Sequence, residues 1–430
     1  MALAQWAGTT PGGCLTSDLS LLVAEARGAH RLSDAIDGFG AIEANAAFGV
    51  IEPSVIVLLD SALEKFFESD ALADRIVVLV PPALAPEDDR RKDPPTRSFL
   101  ASREVFQKAR LADFPPEDWC YRALQWAVAG PQLAARVDVV HKPPAAALAA
   151  RPGSCEAVLS HRGPERYLRV CVDSLLRQSQ PTRVTIGVDQ KYNCRRLLAE
   201  TADNPAVSAY QVGPPPLGPF VALHVLSHVA QADFVLRQDS DDVSLRHRLR
   251  TLIATAEAAG AGVVGSHEIQ LHEIERKVVP VRYPLDVSAA LRRSGPGHQT
   301  LLPTTVARKA VFELVGGFST HRIFGLDVAF WLTASLYAKI VNVDDFLYLR
   351  RRRASSLTQR PDLGNYSAIR TIYRNLRRDD FKAIVAGRMR LEDSSLAVHH
   401  RASPVMFRNL RTGQARQVTL DRRETYGDTP

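Results

Sequence analysis

From Cys155 onward, the apolar positions of the chain fall into a regular strand and helix alternation. Glu156 to Ser160 reads as a strand. After the turn His161, Arg162, Gly163, Pro164 stands at a first helical position, and Leu168, Cys171, Leu175 and Leu176 form a core stripe. Val184 to Val188 is a second strand ending at Asp189, and Phe220 to Ala230 a second helix. Phe234, Val235 and Leu236 read as the interior of a third strand, from which Asp239, Ser240, Asp241 and Asp242 emerge. Leu245, Leu249, Leu252, Ile253 and Ala256 then recur at helical spacing. Such a succession with short connections predicts a parallel sheet with helices on its faces, and ligands of such sheets sit beyond the carboxyl ends of the strands. Asp189 and the Asp239 cluster both lie at those ends.

The flanks are less regular. Up to about residue 150, signals at Leu21 to Ala26, Val55 to Asp60, Ser61 to Ser69 and Arg75 to Val80 suggest a small α/β unit. Pro86 to Pro95, charged and proline-rich, predicts a loop; a helix is expected around Phe99 to Leu111 and a short strand at Val137 to Val140. Lys142 to Pro152 reads as a linker. Beyond Arg360, Ile369, Ile372, Tyr373 and Leu376 recur at helical spacing before a polar end that reads as frayed. The expected organisation is an accessory α/β region over 1–150, a central α/β domain over 151–360, and a helical extension and tail over 361–430.

Composition adds bounds. With 430 residues, 46% hydrophobic and 23% charged, the chain is of ordinary globular type and long enough for two or three cores. No run approaches the roughly eighteen apolar residues of a membrane helix, and the N-terminus lacks a basic start and apolar block. A cytoplasmic location without integral membrane association is therefore expected. The five cysteines are scattered and form no CxxC pair. The net charge of +7 and pI near 9.2 come mainly from dispersed arginine, so nucleic acid is not an expected partner.

Along extended backbone Asp239 and Asp241 point to one side and Ser240 away. Two carboxylates there make a hard oxygen site suited to Mg²⁺ or Mn²⁺ rather than zinc, with the ion shared with substrate phosphates. These acids are equally suited to capping the next helix. The residues alone leave both readings open.

Six segments in order then resemble a family 2 glycosyltransferase of the GT-A fold, an inverting enzyme dependent on a nucleotide sugar. They are AVLSHRGPERYLRVCVDSLLRQS, VTIGVD ending at Asp189, ADFVLRQDSDD with its DxD pattern, Val315 to Phe318, FGLDVAFWL, and LYLRRRRASSLT, spanning about Cys155 to Arg360. The resemblance implies an α/β GT-A type, Rossmann-like mixed sheet flanked by helices. It implies that Ser160, Arg162, Asp189, Asp239, Arg350 and Arg353 bind the donor, Asp189 by accepting a hydrogen bond from the base. Asp239 and Asp241 would hold the divalent cation, Asp242 would cap the following helix, and Asp327, opening the apolar helix Val328 to Leu336, would be the general base. The basic cluster Arg350 to Arg353, with Ser355, Ser356 and Thr358, corresponds to a loop closing over the diphosphate.

The expected reaction is transfer from a nucleotide sugar, a uridine diphosphate sugar first, to a small-molecule, peptide or carrier-bound acceptor; a homodimer is left open. The chain departs from the family pattern at Gln190, Lys191 and Tyr192 after Asp189, at Leu326 before Asp327, and at Arg353 where His is usual. The competing readings are a non-catalytic GT-A-derived binder of nucleic acid or anionic polymer, and a sugar nucleotidyltransferase, for which SHRGPE supplies a single glycine. His298 and His321 stand near these segments, and lone histidines are more often structural.

Overall fold

Helices and strands occur where apolar runs find partners, and among the described residues the strands sort into two sheets. The computed structural model describes residues 13–16, 20–24, 47–50, 76–80, 91–92, 95, 99–102, 105, 108–114, 118–129, 137–140, 153–189, 192–213, 218–294, 299–354, 356, 362, 364, 367–400 and 404–419. Val55 to Ser69, Lys142 to Pro152, His298, Ser355 and Thr358 lie outside them.

The N-terminal portion contributes β1 (Gly13–Thr16), β2 (Ser20–Ala24), β3 (Ala47–Val50), β4 (Ile76–Leu79), β5 (Arg91–Lys92), β6 (Phe99–Ser102) and β7 (Val137–Val140). All but β5 form one sheet in the order β1-β2-β3-β6-β4-β7. Two expectations are corrected here. Phe99–Ser102 is a strand between β3 and β4 rather than the start of a helix, because its residues pair with both neighbours. Arg91–Lys92, expected in a loop, is drawn into pairing with a strand of the second sheet.

That second sheet holds β8 (Cys155–His161), β9 (Arg183–Asp189), β10 (Val207–Gly213), β11 (Phe234–Asp239), β12 (Val243–Ser244), β13 (Val263–His272), β14 (Lys277–Arg282), β15 (Val306–Arg308), β16 (Ile340–Arg352), β17 (Pro404–Asn409) and β18 (Ala415–Thr419). Its order is β12-β16-β13-β15-β11-β8-β9-β10-β17-β18, with β14 and β5 added beside β13. β11, β8, β9 and β10 run parallel to one another, while β15 and β17 are antiparallel to their neighbours, so the sheet is mixed.

Alternation along these strands feeds two cores. Ala157, Leu159, Phe234 and Leu236 face the helices Glu165–Leu176 and Arg248–Ala259, while Val158 and Val235 face the helices Pro219–Val229 and Leu326–Tyr337. Apolar residues on both faces are what a covered parallel strand requires. A third core joins the N-terminal portion to this sheet: Trp119 and Leu124 of the helix Trp119–Ala127 cluster with Ile269, Leu271 and Phe346.

The helix Ala368–Val385 is as expected, and the hairpin that follows it before residue 420 is not; the residues after 419, where a frayed end is expected, lie outside the described residues. β17 and β18 form a hairpin on the β10 edge. Val405 and Phe407 point into the core and Met406 outward, the period of a half-buried strand. No described helix is long and apolar enough to cross a membrane.

Candidate active site

Three parallel strands end side by side. Asp239 closes β11 opposite Ser160 of β8, and Asp189 closes β9 one strand further along. Ser160, Arg162 and Asp189 line one cleft with Gly187, Gly218 and Pro219. Arg162 Nε lies 3.8 Å from Asp189 Oδ2, a contact between partly exposed groups that water screens. Gly218 has φ +71°, and a Cβ on it would come within 2.7 Å of Ile323 Cγ2. A bulkier residue there is excluded both by backbone conformation and by the loop that leads to Asp327.

The acids of the DSDD run separate into two kinds. Asp239 and Asp241 remain partly open, with Ser240 buried between them. Each open acid engages a guanidinium through one oxygen: Arg237 Nη2 donates to Asp239 Oδ1 at 2.6 Å, and Arg353 Nη2 donates to Asp241 Oδ2. Arg353 is steadied from below by the Tyr167 ring, 4.7 Å from its guanidinium carbon, and Arg351 shares that ring at 4.8 Å.

Asp242 is the other kind. It does not cap the following helix, whose N-cap is His247 without a side-chain bond. Its Oδ2 accepts from the Tyr348 hydroxyl at 2.7 Å and its Oδ1 from the Arg351 backbone N–H at 2.8 Å. The capping expectation fails because β16 runs alongside through β12 and offers buried donors that the helix terminus does not. Burial, then the neighbouring Asp241 and Asp239, pushes the Asp242 carboxyl well above the usual range. Asp242→Ala leaves a buried hydroxyl and a buried N–H without partners, and is expected to lower stability by about 3 kcal/mol. Urea unfolding measures this, and a variant as stable as wild type contradicts the tether.

Beneath the acids lies Arg248, fully buried and bonded to Gln238, Ser244 and the Pro303 carbonyl, with the Tyr348 ring 4.8 Å away. Burial lowers its pKa to about 10. It fixes Gln238, the residue before Asp239, and so holds the strand end in place.

Arg350, expected at the donor, sits between the acids and a buried glutamate: Asp242 and Asp239 both act on it electrostatically. Its Nη1 lies 3.6 Å from the fully buried Glu268, which also accepts from Tyr283 and Gln270.

Asp327 stands in the first turn of the helix Leu326–Tyr337, after Gly325 at φ +70°. Arg370 and Arg377 of the helix Ala368–Val385 face it electrostatically, and Arg377 Nη1 donates to the Gly325 carbonyl at 2.6 Å. These partners were missed in the sequence. Their signal is Arg370, Tyr373 and Arg377 on one helical face.

Several histidines are buried in this part of the molecule. His161 Nδ1 lies 3.0 Å from Ser240 Oγ, and burial lowers His161 to about 4. His224 packs edge-on to His228 and tilted against His400, with ring centroids 4.6 and 4.4 Å away. Burial, then His400 and His228, lowers it to about 3. His321 Nδ1 lies 3.3 Å from the His399 carbonyl oxygen. Among the described residues no group of three or more His, Cys, Asp or Glu is placed to hold a metal.

An imidazole kept neutral by burial binds protons more weakly in the folded than in the unfolded chain. Its contribution is full above the unfolded value near 6.5 and is lost as pH falls from there toward the folded values of about 4 and about 3 for His161 and His224. Stability is expected to drop on the order of 3 kcal/mol between about pH 7.5 and about pH 5. Denaturant midpoints at the two values check this, and equal midpoints contradict it.

Comparison with known proteins gives distant likenesses. No family model matches, and no curated protein matches. Among solved structures, S. aureus TarS 1–349 matches over 46% of this chain and 60% of its own, at 18% identity and TM-score 0.39. The same protein in complex with UDP-GlcNAc matches over 55% of this chain and 72% of its own, at 19% identity and TM-score 0.42. The mannosyltransferase PcManGT from Pyrobaculum calidifontis, in complex with GDP-Man and Mn²⁺, matches over 56% and 66%, at 12% identity and TM-score 0.40.

Proposed function

We propose that the chain is a metal-dependent, inverting glycosyltransferase that moves a sugar from a nucleoside diphosphate donor, a uridine diphosphate sugar first among candidates, to an acceptor hydroxyl. The observation that carries this reading is the convergence of Ser160, Asp189, Asp239 and Asp241 at the carboxyl ends of adjacent parallel strands, with Arg162 and Arg353 facing them. Carboxylates for a base and a cation, and guanidinium forks for phosphate, are what a nucleoside diphosphate needs at one place.

Asp239 and Asp241 suit a hard divalent cation: both are partly open, and each present ion pair engages one carboxylate oxygen. They would hold Mn²⁺ or Mg²⁺, which when bound neutralises charge on the departing diphosphate. Arg353, now on Asp241, is placed to exchange that carboxylate for a donor phosphate. Asp189 would accept from the nucleobase. Asp327 would remove the acceptor hydroxyl's proton as its oxygen bonds to the anomeric carbon and the bond from that carbon to the diphosphate oxygen breaks.

The test is release of free nucleoside diphosphate from a panel of nucleotide sugars, in Mn²⁺, with a mixed pool of hydroxyl acceptors. Release from one donor above the buffer rate, dependent on acceptor, supports the reading. No release from any donor contradicts it.

A further inference from the structure

The loop before Asp327 and the helix Ala368–Val385 enclose an unusual concentration of guanidinium groups. Arg322 lies flat on the Tyr373 ring, 3.4 Å from its centroid; Arg370 lies over Phe324 at 5.1 Å, and Arg377 is 5.8 Å from the Tyr373 ring. Tyr373 and Phe324, themselves 6.2 Å apart, hold the guanidinium groups by their faces. Two of their N–H groups are unmet: Arg322 Nη1 and Arg377 Nε are buried without a hydrogen-bond partner. A buried guanidinium donor without an acceptor is costly, and a bound oxyanion is the common remedy.

Charge points the same way. Asp327 is the described carboxylate that faces both Arg370 and Arg377, and no described acid is recorded against Arg322. Burial weakens proton binding by Arg322 and, most strongly, by Arg377, as expected of cations short of counter-charge. The patch also adjoins the donor cleft, because Ile323, next to Arg322, touches the cleft-lining Gly218.

We infer that this patch is an anion subsite, and that the acceptor of the proposed transfer carries a phosphate group held by Arg322 and Arg377 beside Asp327. A phosphate, with several oxygens, can take two guanidinium forks at once, whereas a neutral hydroxyl acceptor leaves both donors unmet. The acceptor assignment rests on the glycosyltransferase reading; the anion subsite does not.

The experiment titrates the full chain with glycerol 3-phosphate, with glycerol as the neutral control, in saturating UDP and Mn²⁺ so that the donor cleft is blocked. UDP binding is measured separately. Glycerol 3-phosphate is expected to bind and glycerol not to, with at least tenfold weakening in Arg322→Gln at an unchanged melting temperature. Should that variant fail to fold, Arg322→Lys, which keeps the charge but removes the planar fork, is expected to give the same weakening. Equal affinity in wild type and folded variant, or no preference over glycerol, overturns the subsite. Binding that depends on Arg322 in a protein with no affinity for UDP leaves the subsite standing and removes the donor reading instead.

Discussion

Asp327→Asn is expected to lower turnover by about 10²- to 10⁴-fold while donor affinity stays within about twofold of wild type. The amide keeps the shape of the carboxylate and its place in the first turn of the helix Leu326–Tyr337, but cannot take a proton. The residues proposed to bind the donor sit on other elements, at the ends of β8, β9 and β11, so nucleotide binding is expected to be independent of the change. Arg370 and Arg377 face Asp327, so removing its charge also alters their surroundings. Two readouts separate these effects: kcat reports the proton acceptor, and KM for the acceptor reports the guanidinium patch. Turnover near wild type removes Asp327 as the base.

Asp241→Asn is expected to weaken donor binding in Mn²⁺ by at least about tenfold and to leave binding without metal unchanged or slightly stronger. The asymmetry comes from Arg353. Its guanidinium is paired with Asp241, so losing the carboxylate would remove the proposed cation ligand and take one pairing partner from the arginine proposed to meet the donor phosphate. Calorimetry with and without metal measures both, and equal affinity of wild type and variant in Mn²⁺ sinks the metal assignment.

The parts of the fold legible in the sequence are those set by local pattern. Phe234, Val235 and Leu236 are apolar on both faces because the strand is covered on both, and the run ends where Asp239 emerges. The parts that were not legible depend on partners distant in the chain. Asp242 meets Tyr348 across 106 residues, and nothing near Asp242 announces that hydroxyl. Phe99–Ser102 has residues compatible with a helix and becomes a strand because β3 and β4 stand on either side of it. Arg91–Lys92 pairs through two residues only, too short for any periodicity. The alternation Val405, Met406, Phe407 is visible in retrospect, but a six-residue strand earns its place by pairing with β10. In the site, Asp189, Asp239 and Asp241 come together because each ends or follows a parallel strand. Glu268, buried on β13 and 82 residues before Arg350, was not legible as its partner.

The central claim is that the strand ends bind a nucleoside diphosphate. The most direct measurement is calorimetric titration of the wild-type chain with UDP, GDP, ADP and CDP, each with and without Mn²⁺. One nucleotide, UDP first, is expected to bind in Mn²⁺ and to lose most of that affinity when the metal is withheld. No heat from any of the four in Mn²⁺ contradicts the account.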